Sequence, residues 1–372
     1  MKVKIIFCLI QLVFWGCAAK MTIAVAADLQ NPPPGATPHP GMVPNQQSGL
    51  VLPYGISVVP SADQEESAAI SNRVITCFED RDFDKLDDYA SNLRTSKVSW
   101  ATGHWKLGNF YCSFCPADTA PDSEWKNRLA GLDAWVAAKP DSITARVALA
   151  NFLIQYAWAA RGSGWGDTVT DEGWRLFNER LNQAEEVLDD AGKLKEKCPV
   201  YWSMRMTVAL GLNYNKDQFD EIFKQATNAT PNYQAYYFHR AVYLLPRWNG
   251  SPGEWEADLA KEADQVGGDQ GDELYARVVW CMHQCVGFKN IFKENNLDWP
   301  RVDRGFDIIE KQYPASLAAK NEHAHLAVLS GNRQAAVACL TRMAGKVDLS
   351  IWYSEADFIR QLSWAYNVPW GQ

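Results

Sequence analysis

The chain has 372 residues, 47% of them hydrophobic, with 36 basic against 44 acidic side chains and nine cysteines. The acidic balance argues against a nucleic-acid partner, because phosphate contacts need a clustered basic face and no such cluster occurs. The body of roughly 300 residues exceeds the usual size of one hydrophobic core, which favours two cores or a repeat architecture.

Lys2 and Lys4 precede the apolar run "IIFCLIQLVFWG", the charged and hydrophobic parts of an export signal too short to span a membrane. The run ends on "FWGC", so residues 1–16 read as the signal and Cys17 as the acylated first residue of a mature lipoprotein. This stretch resembles the lipobox of bacterial lipoproteins, with Phe14 where that pattern prefers leucine. Cleavage in "AVAA", near Ala26, is the competing exit and would give a plainly secreted chain. Either route is exported, and lipidation places the protein at a bacterial cell envelope, touching membrane only through its lipid anchor. Residues 17–62 include the proline-rich, nearly uncharged tract "LQNPPPGATPHPGMVPNQQSG" and read as an extended tether ahead of a folded domain over 63–372.

From about Ser67 the apolar residues recur at helical spacing and β-type alternation is scarce. Helices are expected near 67–95 and 122–138. Helical hairpins follow over 141–190, 200–229, 232–266, 270–312 and 315–345, with a capping helix at 354–366. Pro140, Pro199, Pro231 and Pro314 each introduce a helix, and ten residues after them stand Ala150, Ala209, Ala241 and Ala324. Proline suits a first turn, and a small residue ten positions on lets a second helix approach closely. Leu153, Leu212, Leu244 and Ala327, three residues further, fall on the same face.

That register resembles the tetratricopeptide repeat. Pro199 to Pro231 is one unit, with Phe223, Ala226 and Pro231 at the family's late positions. After Pro314, residues Ala324, Gly331, Ala336 and Leu340 match as well. Most units lack the family's early tryptophan and tyrosine, and the long gaps between other prolines mean insertions or an unmarked hairpin. "YAWAARGSGW", "WRLFNERL" and "FHRAVYLLPRWNGSPGEW" together also resemble an uncharacterised bacterial domain-of-unknown-function family, from about Glu65 onward. The resemblance implies an all-α fold, an α-solenoid of helical hairpins, and carries no activity with it.

Two of the expected hairpins have long glycine- and tryptophan-rich connections, "ARGSGWGDTVTDEGWRLF" and "RAVYLLPRWNGSPGEWEADL". In each, an arginine ends or follows the first helix (Arg161, Arg247), a tryptophan sits in the loop (Trp165, Trp248), and another opens the next helix (Trp174, Trp255). Trp174 and Trp255 suit packing back as core, whereas Trp165 and Trp248 are open to either role. If the six form a surface, indole faces with guanidinium groups suit an extended peptide, a sugar chain or an anion.

Other constellations are weaker. Asp167, Asp171, Glu172, Glu254 and Glu256 lie in or beside the two loops, as a glycosidase would need, but acidic residues at helix starts ordinarily serve the dipole. Cys112 and Cys115 with Cys281 and Cys285 offer four thiols, though buried apolar cysteines are the simpler account. His323 and His325 face different directions and cannot share a metal from their helix alone. No catalytic residue, metal site or cofactor is assigned. The reading is an exported binding module for a protein or peptide, with a carbohydrate-active enzyme or a purely structural envelope protein as alternatives.

Overall fold

The structure is a computed structural model that describes residues 51–368 apart from 53, 54, 61, 102, 118, 163 and 165. Cys17, Ala26, most of the tether and Trp165 therefore lie outside the described residues. The described chain is mostly helical, in agreement with the expected all-α class. It falls into two compact units. Unit one holds Ser67–Glu262 with Cys281–Gly287, and unit two holds the described residues before Ser67, Ala263–Trp280 and those from Phe288 on.

The first helices are α1 (Ala62–Glu79), α2 (Phe83–Ser96), the short α3 (Leu107–Cys112) and α4 (Asp122–Ala138). The helices expected over 67–95 are two, α1 and α2, separated where Arg81 adopts the left-handed conformation at φ 56° and turns the chain. Next come α5 (Ile143–Arg161) and α6 (Asp171–Gly192), α7 (Pro199–Gly211) and α8 (Lys216–Ala229), then α9 (Ala235–Tyr243) and α10 (Glu254–Val266). Pro199 is the first residue of α7, while Pro140, Pro231 and Pro314 stand three or four residues ahead of theirs. Side-chain caps supply the start signals: Ser142 accepts from Ala145 N, Thr170 from Gly173 N, and Asn215 with Gln218 closes a reciprocal capping box.

In unit one, α5 is buried on every side from Ile143 to Trp158, as expected of a helix apolar all round. Its partner α6 buries a single stripe, Phe177, Leu181, Ala184, Leu188 and Ala191, spaced four and three apart. Burying each such leucine or phenylalanine stabilises by ~1.5–3 kcal/mol. Ala150, Ala209 and Ala241 are all buried, as is Leu153, whereas Leu212 is half-exposed at the end of α7. A buried arginine ties the early helices together: Arg94 donates to Tyr111 Oη (3.4 Å) and Thr144 Oγ1 (2.9 Å) and pairs with Glu196.

The remaining helices are α11 (Gly268–Val286), α12 (Ile291–Glu294), α13 (Trp299–Gln312), α14 (Leu317–Ser330), α15 (Arg333–Arg342) and α16 (Glu355–Tyr366). Unit two also holds a small sheet that the sequence pattern did not predict. Strands β1 (Val51–Leu52) and β2 (Ile56–Val58) pair antiparallel, and β2 pairs in parallel with β3 (Lys346–Val347). Here α14 is the helix buried on all sides, from Ala318 to Ala327, with Ala324 and Ala327 fully buried. Unusually for such a helix, Asn321, Glu322, His323 and His325 are buried with them.

Candidate functional site

The first tryptophan-rich connection begins where α5 ends. Gly162 caps that helix at φ 73°, a conformation that favours glycine, and the chain turns toward Thr170 and α6. The Arg161 guanidinium lies 5.5 Å from the Trp158 ring centroid and 5.1 Å from that of Trp174, and its Nη1 donates to the carbonyls of Gly162 and Gly164 (3.2 Å each). Burial pushes this guanidinium below the usual arginine range, and the two indole faces offset part of that cost. Trp174 is half-buried and meets Phe177 edge-on at 5.7 Å, and Phe177 meets Trp158 edge-on at 4.8 Å.

The second connection links α9 to α10. Gly250 packs so closely on Leu244 that a Cβ would lie 1.9 Å from the Leu244 carbonyl oxygen, so only glycine fits. Backbone bonds from Trp248 N to Leu245 O (2.8 Å) and from Asn249 N to Tyr243 O (3.1 Å) fold the loop back over the end of α9. The half-buried Trp248 thereby meets Trp158 edge-on, at 6.1 Å and 90°. Trp158 thus belongs to both connections: Arg161 stands against its ring, Phe177 against its edge, and Trp248 at right angles to it. Packed edge-to-face rings contribute ~0.5–1.5 kcal/mol per pair beyond their burial.

The sequence-predicted residues separate on this geometry. Arg161 and Trp174 share one aromatic corner with Trp248, and Trp158, overlooked as an interior helix residue, joins them. Trp255 is 1% exposed and sits in the core, and Arg247 is half-buried. The indole Nε1 atoms of Trp158 and Trp248 are both buried without a hydrogen-bond partner among the described residues. Each orphaned donor is costly, since a buried unpaired N–H forfeits ~1–3 kcal/mol.

The neighbouring carboxylates are tied to structural roles. Glu172 is held below the usual carboxylate range by Arg175. Glu254 is likewise lowered by Lys216, and it also caps Ser251 N at 2.8 Å. Glu256 is buried. Neither Glu172 nor Glu254 is biased toward the protonated form that a glycosidase acid requires.

The seven described cysteines, Cys112 and Cys115 among them, form no disulfide with one another, and Cys281 Sγ lies 3.6 Å from His104 Nε2. Among the described residues, the group able to present metal-ligating atoms together lies in unit two: an oxygen of Asp303, a ring nitrogen of His323 and Cys339 Sγ, all within 4.8 Å of one another. Burial alone would push His323 down, but contacts with Asp303, Cys339 and Glu310 outweigh it and raise the imidazole to about 10. His325 lies apart from that group, 4.8 Å from Trp352 and 6.2 Å from Trp280 by ring centroid.

No helix of the described residues is long and apolar enough to cross a membrane. Neither the curated proteins nor the solved structures contain a match to the chain. Residues 78–187 run from the end of α1 to within α6, so they carry Trp158, Arg161 and Trp174, and they match the family described as Domain of unknown function (DUF4034).

Proposed function

We propose that this chain is a non-catalytic, exported helical-repeat module, tethered through Cys17, that holds a protein or peptide segment against the aromatic corner of unit one. One observation carries the reading: two separate glycine-rich insertions converge on Trp158 and bring Arg161, Trp174 and Trp248 to one place. Apolar side chains pack on the half-buried rings of Trp174 and Trp248, and Arg161, also half-buried, supplies positive charge for a carboxylate. Insertions on a rigid helical scaffold are ordinary places for binding. Stacked tetratricopeptide-like hairpins, an α-solenoid, would supply that scaffold, and the apolar faces that each hairpin must bury support the arrangement.

The test replaces Trp248 with a photo-crosslinking phenylalanine analogue in the full chain, in its native envelope. A discrete adduct from position 248, absent when the same analogue stands at the exposed Tyr353 of unit two, is the expected result. No adduct, or the same adducts from both positions, would remove the corner as a binding site. Trp174→Ala should also abolish the adduct while leaving the circular dichroism unchanged, because Trp174 is only half-buried.

A further inference from the structure

Unit two holds a second constellation, in a different place from the aromatic corner and with different chemistry. Asp298 caps α13, and that helix then carries Asp303, Asp307 and Glu310 at spacings of four and three, along one face. His323 comes from α14, and Cys339 and Arg342 come from one face of α15. His323 has no exposed side-chain surface and Cys339 is buried, while Asp303 remains 39% exposed and opens the group to solvent. The imidazole stacks on Phe306, with centroids 5.1 Å apart, and Trp299 lies 6.1 Å away.

The hydrogen-bond directions are informative. His323 Nδ1 lies 2.7 Å from Glu310 Oε1. A carboxylate only accepts, so Nδ1 carries a hydrogen and donates it there. Arg342 Nη2 also lies 2.9 Å from that nitrogen but has no lone pair to meet, so the guanidinium donates elsewhere. Its Nε donates to Glu310 Oε2 at 2.9 Å and its Nη2 to Cys339 Sγ at 3.3 Å. Nε2 lies 2.8 Å from Asp303 Oδ1, and because a carboxylate only accepts, Nε2 donates its hydrogen there. A metal ion in place of that hydrogen is the other positive bridge that this nitrogen and oxygen accept.

We propose that Asp303, His323 and Cys339 are the protein ligands of a divalent transition-metal site of the zinc class. One oxygen, one imidazole nitrogen and one thiolate sulfur form a donor set that zinc accepts, and three ligands leave a fourth tetrahedral position for water or an atom of a bound molecule. Glu310 plays the part of the carboxylate that orients a metal-bound histidine through its other nitrogen. Arg342 fixes Glu310 through its Nε and donates to the Cys339 sulfur through its Nη2. On binding, the metal displaces the Nε2 proton and the Cys339 thiol proton, and both pass to solvent.

The test uses the full chain, stripped by chelator under reducing conditions and titrated with Co²⁺. The expected result is one Co²⁺ per chain, with tetrahedral cobalt absorption and a sulfur-to-cobalt charge-transfer band, displaced by Zn²⁺. Cys339→Ser should abolish that band, and Glu310→Gln should keep it while weakening binding ~10–100-fold. Failure to bind Co²⁺ overturns the proposal, as does a charge-transfer band that survives Cys339→Ser. Should Cys339→Ser fail to fold, Glu310→Gln decides: an unchanged affinity there equally overturns it.

Discussion

Replacing Arg240 tests whether the Trp248 insertion is positioned by the helices at its base. Arg240 lies near the end of α9, and Asp258 lies in α10 on the other side of the loop. The guanidinium is 9% exposed. Its Nε donates to Asp258 Oδ2 at 2.6 Å and its Nη2 to Asp258 Oδ1 at 2.9 Å, a two-pronged pair, and its Nη1 donates to Asp220 Oδ1 at 2.7 Å. Its carbon lies 4.5 Å from the Phe223 ring centroid. In Arg240→Ala, Asp258, 16% exposed, loses its cation, whereas Asp220, 41% exposed, rehydrates. Stranding a buried partner costs ~3–5 kcal/mol, and the exposed pair adds at most ~1 kcal/mol. At ~2–4 °C per kcal/mol for a unit of this size, the melting temperature should fall by roughly 6–24 °C.

The assay is thermal unfolding followed by circular dichroism for Arg240→Ala, Asp258→Ala and the double variant, with tryptophan emission recorded below the transition. The double variant should lose less than the sum of the single losses, because removing Arg240 from a chain already lacking Asp258 strands nothing new there. Emission should shift to the red in Arg240→Ala as the Trp248 loop loosens. A fall of less than about 2 °C, or strictly additive losses, would mean that Asp258 is solvated without Arg240 and that the pair does not hold the loop.

Two further expectations concern pH. Burial holds the Glu322 carboxyl well above its ordinary range; Arg277 opposes this and the nearby Asp63 and Asp348 reinforce it. The folded state then binds its proton more tightly than the unfolded state, so this residue's contribution to stability falls as pH rises above the ordinary carboxylate value. Glu322→Gln should therefore raise the melting temperature at pH 8 and leave it unchanged near pH 4; a loss at pH 8 would refute the assignment. His239 and His283 run the opposite way: burial lowers each to about 3, with His104 adding to the effect at His239. The unfolded state takes up their protons first, so stability is full above about pH 6.5 and declines below it toward pH 3, by ~1.4 kcal/mol per pH unit for each histidine. Denaturant titrations from pH 7 to pH 4 should show that slope reduced in His239→Gln and in His283→Gln, and an unchanged slope would show that neither imidazole is buried neutral.

Most of the helical order was legible because its signals are local. The caps at Ser142, Thr170 and Asn215 act within three residues, and the buried stripe of α6 is written at its own helical period. The alanine register found helix positions that are buried in fact, at Ala150, Ala209, Ala241 and Ala324. The small sheet was not legible for the opposite reason. Strands of two and three residues have no period to display, and Val58 finds its partner in Val347 at the far end of the chain. The break at Arg81 was hidden too, since a non-glycine residue at φ 56° carries no sequence mark.

The two sites differ in legibility along the same line. Composition drew attention to the tryptophan loops, but it could not tell Trp255, sealed in the core, from Trp248 at the corner. Burial there is decided by where a loop folds back, and that depends on the close approach of Gly250 to Leu244. Trp158 was missed because it occupies an interior position in a helix that is apolar all round, where one more indole looks like core. In unit two, attention to His323 and His325 as a pair on one helix asked the wrong geometric question. His323 meets its partners across three helices, from Asp303 to Cys339, and no spacing within one helix reports that. A buried histidine flanked by polar neighbours on an otherwise apolar helix is still a usable signal. Burying such a group is costly unless neighbouring elements supply its partners, so its presence points to acidic or sulfur-bearing residues on the helices before and after it.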